Sequence, residues 1–358
     1  MNKKYKKLMI VAGGTGGHIF PGIAVAEYLL KQGWQVVWLG TSDRMEADVV
    51  PKHGLNIRFI DVQGVRGNGL KRLLKAPLMI LKAIFQARTV MIQEQPDVLL
   101  GMGGYVTGPA GIAAKTLGIP LLVHEQNAVA GMSNKLLAKF SNQVLAAFPG
   151  AFSDIKYQVV GNPVRESVAN IKHEFSTESC RILVVGGSLG AKVLNDELPN
   201  VFSQLNCSKT VEVWHQTGKG NLGAVKASYQ KLELSAKVEQ FIDDIDTAYA
   251  WADIVICRSG ALTVSEIAAA GKMALFVPFP HAVDDHQTAN AAFLVSNQAA
   301  LLLQQRDLNQ QSLIKLLKPF VEQPELIKKM AGKAKSYAQI DATEQVAKYI
   351  EKHSDYAA

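Results

Sequence analysis

Three glycine-rich segments follow directly on apolar runs in this 358-residue chain. They are Gly13-Gly14-Thr15-Gly16-Gly17-His18, Gly101-Met102-Gly103-Gly104-Tyr105 and Gly186-Gly187-Ser188-Leu189-Gly190. Glycines at a strand end let the backbone turn sharply and approach a ligand, and the helix that follows offers amides at the positive end of its dipole. Each segment is thus a candidate phosphate loop, with a bare tight turn as the alternative for any one of them. Two such loops in the first half suit a pyrophosphate better than a single phosphate. A dinucleotide cofactor is disfavoured: counted from Gly14, the third fingerprint glycine falls on Ile19. The strand after the third loop ends His215-Gln216-Thr217, with no carboxylate for a ribose.

The run Cys257-Arg258-Ser259-Gly260-Ala261-Leu262-Thr263-Val264-Ser265-Glu266 compresses a strand, a turn and a new helix. Its first amides suit phosphate or uracil oxygens. Glu266, one turn in, can accept two hydrogen bonds from a ribose diol, or simply stabilise the helix dipole. Asp284-Asp285-His286-Gln287 follows an apolar run ending Phe279-Pro280. Side chains at such a strand end can hold sugar hydroxyls. An Asp-Asp-His trio can also bind a metal, whereas a metal-free transferase neutralises a leaving diphosphate with amides, a helix end and an arginine such as Arg165. His18 and the run His124-Glu125-Gln126-Asn127 also fall at strand ends. A histidine there titrates near working pH and can take a proton from an attacking hydroxyl, or can brace its loop. The letters G-x-S-x-G occur at 186–190, inside the glycine loop read here as a phosphate site, and covalent catalysis by Ser or Cys is not the expected chemistry.

The elements that must position these groups alternate between strand-like runs and helical patterns, the mark of βα units and a parallel sheet. Strands are expected at 8–12, 36–39, 98–101, 121–124 and 144–147, then at 182–186, 211–215, 238–242, 254–257 and 274–278. Helices are expected at segments such as Pro21–Gln32 and Thr263–Ala270, and over about 325–352. Both halves begin with an apolar strand, a glycine loop and a helix, an internal repeat of a doubly wound domain. The expected fold is α/β, two Rossmann-like parallel-sheet domains whose strand ends face a shared cleft. The expected boundaries are 1–163, 164–340 and a C-terminal helix at 341–358 that can pack back on the first domain; Gly161 and Pro163 interrupt regular structure at the first of them.

Composition bounds the rest. The chain is 48% hydrophobic and 19% charged, a globular balance. No segment approaches the roughly 18 uninterrupted apolar residues of a spanning helix. The apolar start, Leu8 to Ala12, is too short for a signal peptide and reads as a first strand, which implies a cytoplasmic location. Cys180, Cys207 and Cys257 form no CxxC pair, against both a disulfide framework and structural zinc; Cys257 reads as a core residue. Of the net charge of +7, residues 1–163 hold 18 Lys/Arg against 9 Asp/Glu, and the remainder 20 against 22. Only the first half is basic, so that half is expected to meet something anionic. The stretch 62–93 has six basic residues and no acidic one. Within it Leu70, Leu73, Leu74, Leu78, Leu81, Ile84 and Phe85 recur at helical spacing, flanked by Lys71, Arg72, Lys75 and Lys82. That pattern fits either a stripe packed on the sheet or a surface lying on an anionic phospholipid membrane. Pro77 is expected to break or kink the helix. One aromatic and no binding module in this stretch argue against nucleic acid.

Together GGTGGHIFPGIAVAEYL, GMGGYVTGPAG, HEQN, VVGNPVR, GGSLGA and CRSGALTVSEIAAAG resemble the MurG family of bacterial glycosyltransferases, within glycosyltransferase family 28, in matching order over about residues 8–290. The resemblance implies a GT-B fold and metal-independent, inverting transfer of GlcNAc from UDP-GlcNAc to the C4 hydroxyl of the muramyl sugar of lipid I. The products are then lipid II, for peptidoglycan synthesis, and UDP. It implies no cofactor, a peripheral location on the cytoplasmic side of the inner membrane, and room for cell-wall synthesis or division proteins as partners. Carried onto this sequence, the donor site falls on Arg165, Ser188, Ile242, Ala261, Leu262, Thr263, Val264, Ser265, Glu266 and Gln287. Ile242 would touch uracil, Glu266 the ribose and Gln287 the sugar. Thr15, Gly16, Gly17 and Asn127 would line the junction of donor and acceptor. Gly14, Thr15, Gly103, Gly104 and Tyr105 would hold the acceptor pyrophosphate, with His18 as candidate base and Asn127 and Glu266 beside the chemistry. His286 departs from the two glutamines expected at 286 and 287. Domain closure would align hydroxyl and anomeric carbon, and loop amides with Arg165 would stabilise the departing UDP. A UDP-GlcNAc 2-epimerase on the same fold and a non-enzymatic nucleotide-sugar sensor are the rival readings.

Overall fold

The computed structural model describes residues 5–63, 70–172, 175, 176, 178–187, 190–205 and 210–355, with backbone only at 70–75 and at 283. The chain packs as two units, Met1–Arg165 with Gln339–Ala358, and Glu166–Ala338.

In the first unit β1 (Lys7–Ala12), β2 (Gln35–Gly40), β3 (Asn56–Phe59), β4 (Val98–Gly103), β5 (Leu121–Glu125), β6 (Gln143–Ala146) and β7 (Gln158–Val159) form one parallel sheet, ordered β3-β2-β1-β4-β5-β6-β7. A parallel sheet is covered on both faces, so its central strands are apolar without alternation. The two-residue period still decides which face each side chain serves. Leu8, Ile10 and Ala12 enter a core shared with the helix Gly16–Lys31. Met9 and Val11 enter the opposite core, shared with the helices Leu70–Glu94 and Thr107–Thr116. Strand order reverses between β1 and β4, and both strands end in glycine loops there. That switch point is where α/β sheets bind ligands.

The single helix expected over 325–352 is two, Pro324–Ser336 and Ala342–Ser354. The break falls where the chain leaves one unit for the other. Val346, Ala347 and Ile350 of the last helix join the core of the first unit. The helix Leu70–Glu94 runs through Pro77 without a break. Pro77 is exposed, and its missing N–H costs the helix one intrahelical bond without ending it.

The second unit repeats the plan. β8 (Ser179–Val185), β9 (Thr210–Gln216), β10 (Ala236–Glu239), β11 (Ile254–Cys257), β12 (Met273–Phe276) and β13 (Leu301–Leu302) form a parallel sheet ordered β10-β9-β8-β11-β12-β13. Cys257 has no exposed surface, and burial, reinforced by the charge of Glu266, pushes its thiol well above the ordinary range. The strand expected over 238–242 stops at Glu239, so Ile242 stands in the loop beyond it.

Candidate active site

The first glycine loop is held by a carboxylate that local sequence patterns did not single out. Glu46, in the helix Met45–Lys52, is fully buried. Its Oε2 accepts from the Gly14 amide at 3.0 Å, and its Oε1 accepts from the Thr41 amide at 3.0 Å and the Thr41 hydroxyl at 2.7 Å. A buried carboxylate persists only when its oxygens are satisfied; here that need fastens the loop after β1 to the end of β2. Gly14 has φ +94, open to glycine at little cost. Thr15 is the N-cap of the helix Gly16–Lys31 but accepts no capping bond through its side chain. His18 lies in the first helical turn, its amide donating to the Thr15 carbonyl at 3.1 Å.

The second loop closes on the first. A Cβ on Gly104 would lie 2.4 Å from the Gly13 carbonyl oxygen, and one on Gly103 would lie 2.9 Å from the His18 ring. These glycines are therefore packing requirements. Tyr105 beside them is half exposed, at 53%. The polar run after β5 completes this end of the sheet. Glu125 is buried; its Oε1 accepts from the amide and side chain of Asn127 at 2.9 and 3.1 Å, and its Oε2 from Gly131 and Asn134. Gln126 is buried between two histidines, with Oε1 2.6 Å from His18 Nδ1 and Nε2 2.9 Å from His124 Nδ1. Burial pushes His124 down to about 4, so it is neutral at physiological pH. Thr15, Gly16, Gly17, His18, Gly103, Gly104, Tyr105 and Asn127 thus all belong to loops or helix starts at the carboxyl end of one sheet. Arg165 ends the first of the two segments that make up the same unit.

In the second unit, the helix Ala261–Ala270 starts from Gly260, a cap without a side chain. Ala261 and Val264 are buried, while Leu262, Thr263 and Ser265 are half-buried. Glu266 is 7% exposed, and its Oε2 accepts from the Tyr249 hydroxyl at 3.1 Å. Tyr249, in the separate helix Ile245–Trp251, gave no signal in the motif. Arg258 is turned inward, donating to the carbonyls of Val277 and Pro278 and to Gln305 Oε1. Gln287 is half-buried, its Oε1 accepting from the Phe279 amide at 2.9 Å. Ile242 is largely buried, whereas Phe241 beside it is 53% exposed. Ser188 lies outside the described residues. Asp284 and Asp285 both adopt left-handed φ, +52 and +49. Among the described residues no group of three His, Cys, Asp or Glu side chains is arranged for a metal.

On the helix Leu70–Glu94 the apolar residues divide between two faces. Ala83, Ala87 and Met91 are buried against the sheet. Leu78, Leu81, Phe85 and Ile92 are exposed at 75, 51, 66 and 57%. Lys82 on this surface donates to Asp61 at 2.9 Å. The side chains of Leu70, Lys71, Arg72, Leu73, Leu74 and Lys75 lie outside the described residues. No helix among the described residues is long and apolar enough to cross a membrane.

Two parallel-sheet, Rossmann-like units with glycine loops at their strand ends are the architecture of GT-B glycosyltransferases. Residues 8–146 match the glycosyltransferase family 28 N-terminal domain and residues 181–349 the family 28 C-terminal domain, and the chain belongs to that family. The UDP-N-acetylglucosamine--N-acetylmuramyl-(pentapeptide) pyrophosphoryl-undecaprenol N-acetylglucosamine transferase of Pseudoalteromonas translucida is 66% identical over 349 residues, covering 97% of this chain and 98% of the relative. The enzyme of the same name from Shewanella denitrificans is 53% identical over 354 residues, 97% of each chain. The crystal structure of Acinetobacter baumannii MurG aligns with TM-score 0.84 at 44% identity, over 97% of this chain and 99% of that one. A Neisseria meningitidis UDP-GlcNAc 2-epimerase aligns with TM-score 0.67 at 15% identity, over 97% of this chain and 100% of that one, a likeness of fold alone.

Proposed function

We propose that the chain transfers N-acetylglucosamine from UDP-GlcNAc to the C4 hydroxyl of the muramyl sugar of lipid I, giving lipid II and UDP for peptidoglycan synthesis. The observation that carries this reading is identity of 66%, spread over 97% of the chain, to a transferase whose name gives the UDP-N-acetylglucosamine donor and the N-acetylmuramyl-(pentapeptide) pyrophosphoryl-undecaprenol acceptor. The transfer is inverting and needs no metal. In this reading the first unit holds the acceptor: the loops at 13–18 and 101–105 take its pyrophosphate, with His18 as base and Asn127 beside it. The second unit holds the donor. The first turn of the helix Ala261–Ala270 meets the diphosphate or uracil through backbone amides ahead of Val264, whose own amide donates to the Gly260 carbonyl at 3.0 Å and whose side chain is committed to the core. Glu266 takes the ribose, steadied by Tyr249. The side-chain amide of Gln287 takes the sugar while its carbonyl oxygen braces Phe279. Arg165 and the loop containing Ser188 offset charge on the departing UDP.

Lipid I is membrane-borne, and the outward apolar row Leu78, Leu81, Phe85 and Ile92 supports peripheral attachment to an anionic membrane on the cytoplasmic side. Cell-wall or division proteins are further partners in this reading. Substitution of Glu266 by Ala tests the donor assignment. Loss of charged hydrogen bonds of about 1.5–3 kcal/mol raises the donor KM roughly 10- to 100-fold, with kcat changed little. An unchanged donor KM would remove Glu266 from the site.

A further inference from the structure

We infer that Gln126 is a positioning residue that holds His18 as its Nδ1–H tautomer and so leaves the ring lone pair on Nε2, the nitrogen left for a substrate hydroxyl. The inference rests on the base reading of His18 only for its kinetic consequence. The tautomer itself follows from hydrogen-bond polarity.

Two backbone carbonyls, which can only accept, set every assignment in the chain of contacts. The Gly161 carbonyl lies 2.9 Å from His124 Nε2, so that nitrogen carries a proton. A neutral imidazole has one N–H, and His124 is buried and neutral; its Nδ1 is therefore an acceptor. Gln126 Nε2 is 2.9 Å from this Nδ1 and 2.9 Å from the His124 carbonyl oxygen. Turning the amide over would set its oxygen against a lone pair and a carbonyl, so its NH2 must face them. Its Oε1 then faces His18 Nδ1 at 2.6 Å, and His18 must donate. The far end of the chain is fixed as well. Gly161 has φ +85, and a Cβ there would lie 2.5 Å from Gln339 Oε1 and 3.0 Å from the Ala342 Cβ. The C-terminal segment thus locks the carbonyl that starts the relay. Without such a partner a neutral histidine in water favours the proton on Nε2, the tautomer unable to accept a proton there. The partner of one ring nitrogen decides the state of the other.

The test is nitrogen-15 NMR of the full chain labelled at histidine, at mildly alkaline pH, with His18 assigned from the spectrum of a His18→Gln variant. The expected wild-type spectrum has a protonated Nδ1 and an unprotonated Nε2 for His18. Gln126→Met, close in size but without an acceptor, shifts His18 toward Nε2–H and lowers kcat by about tenfold or more, with the donor KM within about twofold. A Gln126→Met protein that keeps the wild-type Tm within a few degrees, and keeps the His124 Nε2–H signal set by the Gly161 carbonyl, separates loss of the bond from loss of the fold. A wild-type His18 protonated on Nε2, or a Gln126→Met variant that keeps the Nδ1–H signature, overturns the inference. A variant that loses the signature yet keeps its full kcat upholds the positioning role and removes His18 as the base.

Discussion

Replacing Gly104 with alanine probes the junction of the two glycine loops in the first unit. The new Cβ would stand 2.4 Å from the Gly13 carbonyl oxygen, against about 3.4 Å for ordinary contact, so the loops must part by about 1 Å. Backbone lies on both sides, and no flexible side chain can absorb the movement. Gly104 also has φ +88, where a side chain costs about 1–2 kcal/mol. Stability should fall by about 1–3 kcal/mol, a drop in Tm of roughly 2–4 °C per kcal/mol for a unit of this size. Activity should fall further, because a displacement of about 1 Å at a reacting centre can cost on the order of 100-fold. Gly54→Ala is the control: its φ is +72, but a Cβ there meets nothing within 4 Å. It should lose about as much stability from conformation and keep its turnover. The assay is sugar transfer at saturating donor, paired with thermal unfolding. A Gly104→Ala protein with wild-type kcat/KM for the acceptor would refute the claim that contact between the loops shapes the acceptor site.

Two further outcomes follow from buried and exposed groups. Lys272 is 1% exposed with its ammonium on the Ala252 carbonyl, and burial pushes it down to about 7, partly offset by Asp253. Its folded value lies below the unfolded one, so the unfolded chain binds the extra proton between about pH 7 and 10, and stability rises with pH across that window. Lys272→Met should flatten this rise, read as Tm against pH; a slope equal to wild type contradicts the assignment. Leu78→Ser combined with Phe85→Ser should leave Tm nearly unchanged, within about 0.5 kcal/mol of stability, because both side chains are already in solvent. Binding to vesicles rich in phosphatidylglycerol should fall several-fold, and unchanged binding would move the membrane contact elsewhere.

The loops and motif-bearing elements were legible because their signals are local. An apolar run, glycines and a helical pattern fall within about twenty residues of one another at the starts of both units. What the sequence concealed is long-range or very short. Glu46 serves Gly14 across 32 positions and His18 meets Gln126 across 108, and nothing next to Glu46 or Gln126 announces a partner. The edge strands Gln158–Val159 and Leu301–Leu302 are two residues each, too short to establish a period. The amphipathic stretch at 62–93 admitted two readings because periodicity cannot say which of two apolar faces meets the sheet. Small side chains settled it: Ala83 and Ala87 permit close packing, leaving Leu78, Leu81 and Phe85 outside.

The most direct measurement is transfer of radiolabelled N-acetylglucosamine from UDP-GlcNAc to a lipid I analogue by the purified full chain, with EDTA present. The proposed function predicts robust formation of the disaccharide lipid and stoichiometric UDP. No transfer by well-folded protein, with UDP-GlcNAc converted instead to its 2-epimer, would contradict it.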